Sequence, residues 1–126
     1  MLSPNADLQT RPALDTDEAR LLVETGFLAL SRGKVGEAEA IFHAVLAARP
    51  GEEAGHLGLA QLALLLGDTE RALRALSEAP DTAAVLAFRG MALARRGDAA
   101  GARSLLARAA ADPDVGALAR AVLDSL

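Results

Sequence analysis

Side chains that could ionise, ligate or attack are few in this chain, and their spacing assembles no site. His43 and His56 could hold a metal or move a proton, but they fall on different predicted helices. No cysteine and no HExxH-type spacing accompanies them, so no metal centre is expected. His43 follows Phe42 and reads as a surface or boundary residue. Ser31 and Ser104 have neither a neighbouring base nor the flanking glycines of a nucleophile elbow. The carboxylate pairs Glu37/Glu39 and Glu52/Glu53 stand near predicted helix starts, where they stabilise the helix dipole. Arg71/Arg74 and Arg95-Arg96 lie beside acidic neighbours and read as solvated faces, not as a nucleic-acid stripe. The glycines are spread singly, so no phosphate loop occurs. The expectation is a protein that is not an enzyme, with no catalytic residue, cofactor or metal.

Composition narrows the remaining classes. With 126 residues the chain fits one domain with a modest core. A net charge of −4 argues against phosphate-backbone binding and against an anionic membrane surface. Met1–Asp15 is polar, contains Pro4 and Pro12, and lacks the apolar run of a leader peptide. The longest apolar stretch, Leu57–Leu66, is broken by Gln61 and falls short of the ~20 residues that span a bilayer. A soluble, cytoplasmic protein is therefore expected. Its apolar content is mostly alanine and leucine, with only Phe27, Phe42 and Phe88 as aromatics. Those residues favour helices over strands, so the fold class is all-α.

Positions that do recur belong to elements, not to a site. Gly33, Gly67 and Gly97 stand 34 and then 30 residues apart, and each is followed five residues later by alanine: Ala38, Ala72 and Ala102. Gly-Asp repeats at 67–68 and 97–98, with Gly33-Lys34 in the first copy. Seven residues before each turn glycine stands a small residue: Gly26, Ala60 or Gly90. Pro50, Pro80 and Pro113 close the second helices, since proline lacks the N–H and clashes with the preceding turn. Small residues at these places let two helices approach as an antiparallel hairpin. Helices are predicted near 16–32, 35–49, 52–66, 69–79, 82–96, 99–111 and 114–125. Asp15 or Thr16 can cap the first, with Asp17 and Glu18 in its first turn.

This pattern resembles the tetratricopeptide repeat over roughly residues 17–112, with Phe42 and Leu106 at the large position of the second helix. Leu22 and Leu86 stand where that family often has tryptophan. His56 departs from the pattern there, and Pro80 arrives four residues early, so the middle unit is one helical turn short. The resemblance implies an α-solenoid of three degenerate helical hairpins. A flexible arm at 1–15 precedes units at about 16–50, 51–80 and 81–112, and a capping helix at 113–126 follows them.

In that family the first helix of each pair lines the concave side. Its register implies a partner-binding groove of Val23, Phe27 and Leu30, then Leu57, Gln61 and Leu64, then Ala87, Met91 and Ala94. The i, i+4, i+7 spacing independently puts each trio on one helix face. Eight of the nine are apolar, which suits the apolar face of an amphipathic helix and not a charged tail. Leu57 and Leu64 stand open between groove and ordinary core. Between Glu53 and Leu66 only Glu53, His56 and Gln61 are polar, so this helix must be covered nearly all round. The cover could come from a partner, a second copy, or the arm through Leu8 and Leu14.

In size, three-unit layout and apolar inner face the chain resembles small chaperones of bacterial type III secretion, the needle-subunit type above all. That likeness implies a chaperone holding an amphipathic helix of a small secreted or filament-forming partner, with a small co-chaperone at times. No nucleic acid and no membrane insertion are expected, and two copies could pair when the partner is absent. The alternative is a repeat scaffold acting through self-association or as a subunit of a larger complex.

Overall fold

The structure is a computed structural model and describes residues 14–126. These form seven helices and no strand: α1 (Thr16–Ser31), α2 (Val35–Ala48), α3 (Glu53–Leu65), α4 (Thr69–Ser77), α5 (Ala83–Arg96), α6 (Ala99–Ala109) and α7 (Gly116–Asp124). Each boundary falls within two residues of its predicted place. The α4 helix has 9 residues against 14 in α2, the shortening that Pro80 implied. Leu8 and most of the predicted arm lie outside the described residues.

One device ends the first helix of every pair. Gly33, Gly67 and Gly97 have φ of 74°, 76° and 95°, a left-handed conformation that costs glycine nothing. At each, the glycine N–H bonds three residues back and the next N–H five residues back: Gly33 to Leu30 and Lys34 to Ala29, Gly67 to Leu64 and Asp68 to Ala63, Gly97 to Ala94 and Asp98 to Leu93. This closes the loose carbonyls of a helix end. Asp68 and Asp98 then cap the next helix, accepting from the N–H of Arg71 and Gly101 at 3.1 and 2.9 Å. The Gly-Asp dipeptide thus stops one helix and starts the next. Lys34 has no side chain able to do this, and α2 begins uncapped.

Packing runs in sequence, each helix against the next, with a second set of contacts joining α1 to α3, α3 to α5 and α5 to α7. Among the described residues α2, α4 and α6 show no such contacts with one another. The odd-numbered helices therefore form the tight inner layer and the even ones splay on the outer side. Side chains still bridge the outer gap, where Arg71 pairs with Glu39 at 3.2 Å.

Ala38, Ala60, Ala72 and Ala102 are fully buried. Phe42 sits between two glycines: a Cβ at Gly26 would meet its ring at 2.8 Å, and one at Gly58 would overlap it. Gly90 does the same for Leu106, at 2.7 Å. Leu76 holds the equivalent place in the short middle unit and is fully buried. The α7 helix lays Ala119 against Leu86, Leu106 and Ala109.

Arginines tie successive elements by closing carbonyls at helix ends. Arg89 donates to the Leu76 carbonyl at 2.7 Å, Arg95 to Leu64 at 2.9 Å and Arg120 to Ala110 at 2.7 Å. Arg96 pairs with Glu70 at 3.4 Å. The Arg95-Arg96 pair is thus engaged with neighbouring elements as well as solvated.

Candidate partner-binding surface

The nine residues of the inner stripe do not share one fate. Phe27 and Leu30 of α1 meet Gln61 of α3 in a depression of about 300 Å³, together with Ser31 and Leu65. Met91 and Ala94 of α5 line a second one, of about 360 Å³, against Val122, Ser125 and Leu126. Val23 lies one turn before Phe27, in a third depression with Ala19, Val45 and Ala54.

Leu57, Leu64 and Ala87 are instead core, with 9%, 6% and 0% of their surface exposed. Leu57 packs with Ala60, Leu76 and Val85, and Leu64 with Ala63, Ala72 and Ala92. Ala87 is buried with Leu86, Ala102 and Leu106. The cause is the central place of α3, whose residues from Gly55 to Ala60 are all buried between its neighbours. Very little of that helix is left for an outside molecule to cover.

What α3 does present is Gln61 and, one turn on, Leu65, which is 62% exposed. The predicted register took the i+3 step from Gln61 to Leu64. The structure takes the i+4 step to Leu65. Both steps keep a helix face, so the periodicity alone could not separate them. Val122 and Leu126 were missed for a different reason: α7 reads in sequence as an end cap, and its inner edge becomes visible only once it is packed beside α5.

Phe27 has two duties. Its ring lies 4.8 Å from that of Phe42, edge-on at 61°, so it is both floor of the depression and part of the unit-one core. Ser31 turns its hydroxyl back to the Leu28 carbonyl at 2.7 Å. Arg95 is the one cation lining either of the Phe27 and Met91 depressions, and it is tied to the Leu64 carbonyl. An apolar surface with an amide at its middle fits an apolar ligand face with few charges.

Ionisable groups elsewhere are engaged structurally. His56 is buried, and its ring nitrogens lie 3.1 Å from the Ala75 carbonyl and 3.0 Å from the Pro50 carbonyl. A neutral ring donates to one of these at a time. His56 thus fastens α4 and the α2–α3 loop to α3. It shares the outer gap with His43, Arg71, Arg74 and Glu78, where both signs of charge meet. Asp15 caps α1 in a reciprocal arrangement with Glu18. Hydrogen bonds from the backbone at Glu18 hold the Asp15 carboxyl below its ordinary range. The Arg49 guanidinium, bonded to Glu52 at 2.6 and 2.8 Å, does the same for Glu52. Among the described residues no group of three or more His, Asp or Glu could hold a metal, and no helix is long and apolar enough to cross a membrane.

Residues 29–94 match the family model described as tetratricopeptide repeat. In overall fold the chain is similar to the type III secretion translocator chaperone SycD of Yersinia enterocolitica, with a TM-score of 0.77, 18% identity and all of both chains covered. It is also similar to PcrH from Pseudomonas aeruginosa, with a TM-score of 0.73 and 26% identity over 89% of this chain and 93% of that one. Among curated proteins none matches.

Proposed function

The chain belongs to the tetratricopeptide repeat family, and from that premise we propose that it is a non-enzymatic, cytoplasmic chaperone holding an amphipathic helix on its inner face. The observation that carries this reading is the pair of apolar depressions, one around Phe27, Leu30 and Leu65 and one around Met91, Ala94 and Val122. Energetics favour a ligand that fills more than one. A single buried Leu or Phe contributes ~1.5–3 kcal/mol, less than the ~4–15 kcal/mol that association costs. An amphipathic helix offers several anchors in a row and so can exceed that cost. Met91 and Leu65 on the rim leave room for side chains of differing shape.

The likeness to SycD, a translocator chaperone by name, supports the same class of use. The needle-subunit likeness that the sequence implies is a finer assignment within that class. The groove we assign comprises Val23, Phe27, Leu30, Gln61, Met91 and Ala94 with Leu65 added, and Leu57, Leu64 and Ala87 support it from behind. The domain organisation that goes with it is three units at 16–50, 51–80 and 81–112, with 113–126 as cap.

A second reading, a scaffold acting through self-association, draws on Leu21 and Leu28 of α1, which are 65% and 50% exposed and line none of these depressions. One experiment separates the two. The wild-type chain and the Leu65→Asp, Met91→Asp and Leu21→Asp variants are used as bait in the native cell, and the retained proteins are identified. The chaperone reading predicts a small helical partner whose recovery falls about tenfold or more with either inner-face variant, a loss of ~1.4 kcal/mol or more. Recovery unaffected by them but lost with Leu21→Asp would overturn it in favour of the scaffold.

A further inference from the structure

We propose that two copies of this chain pair through the outer face of α1, antiparallel across a two-fold axis between Glu24 and Thr25. The α3 and α5 helices each have inner-layer neighbours on both sides, whereas α1 packs on α2 and α3 and leaves its far side open. That side carries Leu21 and Leu28, which are 65% and 50% exposed. Each stands two residues after a buried one, Ala19 or Gly26, and so lies ~200° round the helix from the core.

The charges on this face say what covers it. Asp17 lies four residues before Leu21 and Arg32 four after Leu28, which puts both on the side of the helix that carries the leucines. Both are exposed, and among the described residues neither has an ion-pair partner. An antiparallel second copy sets Leu21 against the partner's Leu28 and Asp17 against the partner's Arg32, and the two-fold axis makes each contact twice. A parallel copy would instead set acid on acid and base on base.

The centre of the seam fits the same arrangement. Thr25 turns its hydroxyl back to the Leu21 carbonyl at 2.8 Å, so closing the seam strands no donor there. Glu24 flanks the axis and meets its own copy, which opposes the pairing. One helix against another also falls short of the ~1,600 Å² of a standard interface, so the pair should dissociate on dilution. Val23 and Leu30, two residues beyond the leucines, turn ~200° away from them. Pairing therefore leaves the inner face open to a ligand, and it does not rest on the function proposed above.

The test is sedimentation velocity of the full chain alone over a range of protein concentrations, with circular dichroism to check the fold of each variant. The wild type should pass from monomer to dimer as concentration rises. Leu21→Asp and Leu28→Asp should each raise the dissociation constant about tenfold or more. Asp17→Arg and Arg32→Asp should each raise it about threefold or more. Both charge changes in one chain should restore it, because opposite charges meet again across the axis; a merely local effect on the helix ends would not be rescued. A wild type that stays monomeric at every concentration would overturn the proposal. So would a dimer that persists in Leu28→Asp, or a double charge variant no better than either single one. No partner is added, so none of these failures bears on the partner-binding role, which is tested by the inner-face variants.

Discussion

Phe42 shows how closely single residues set this fold. Its ring occupies space that side chains on two other helices would fill, and Gly26 and Gly58 leave it vacant. Gly58→Ala gains helix propensity yet forces a methyl into the ring, and overpacking outweighs propensity. A loss of about 1–3 kcal/mol is expected in urea denaturation. Gly36, on the exposed start of α2, has nothing within 4 Å of a Cβ, so Gly36→Ala should raise stability by about 0.5–1 kcal/mol. His56→Leu keeps the bulk but removes the ring N–H that serves one of the Pro50 and Ala75 carbonyls. It should cost about 1–3 kcal/mol in the same measurement. The role of Gly26 was legible from the repeat. That of Gly58 was not, because it packs against the preceding unit and has no counterpart in a pattern read within one hairpin.

Element boundaries were the most legible feature, since glycine, aspartate and proline act locally and their spacing is their meaning. Asp68 and Asp98 have φ, ψ of −94°, 81° and −88°, 78°, and Lys34 holds nearly the same backbone at −85°, 68°. Lys34→Asp should therefore supply the missing cap and raise the melting temperature, by an amount equivalent to about 0.5–2 kcal/mol. Acid acts at the other end of unit one. Asp15 and Glu52 both have lowered pKa values, so their contributions are present above about pH 4 and fade as pH falls through the folded-state values. Amide exchange at Glu18 and Ala19 should accelerate there before exchange in α5 does. The face of an element was less legible than its ends. On α3 the step to Leu64 and the step to Leu65 satisfy the same periodicity, and only the packing of α4 and α5 decides which one is buried.

For the whole molecule, the inner layer closes more of its own surface than its composition suggests. A helix as apolar as α3 is covered almost completely by its neighbours, and what stays open is a chain of separate depressions bordered by Leu65, Met91 and Val122. Leu64→Asp should unfold the chain, since it places a charge in the core. Leu65→Asp, one residue on, should leave the circular dichroism spectrum and melting temperature nearly unchanged. The central claim is that a partner helix lies across this inner face, and a methyl-detected titration with that helix tests it most directly. Leu30, Leu65, Met91 and Val122 are predicted to shift together as the helix is added, while Leu21, Leu28 and Leu118 hold their positions. Shifts confined to Leu21, Leu28 or Leu118, with the inner face silent, would contradict the account.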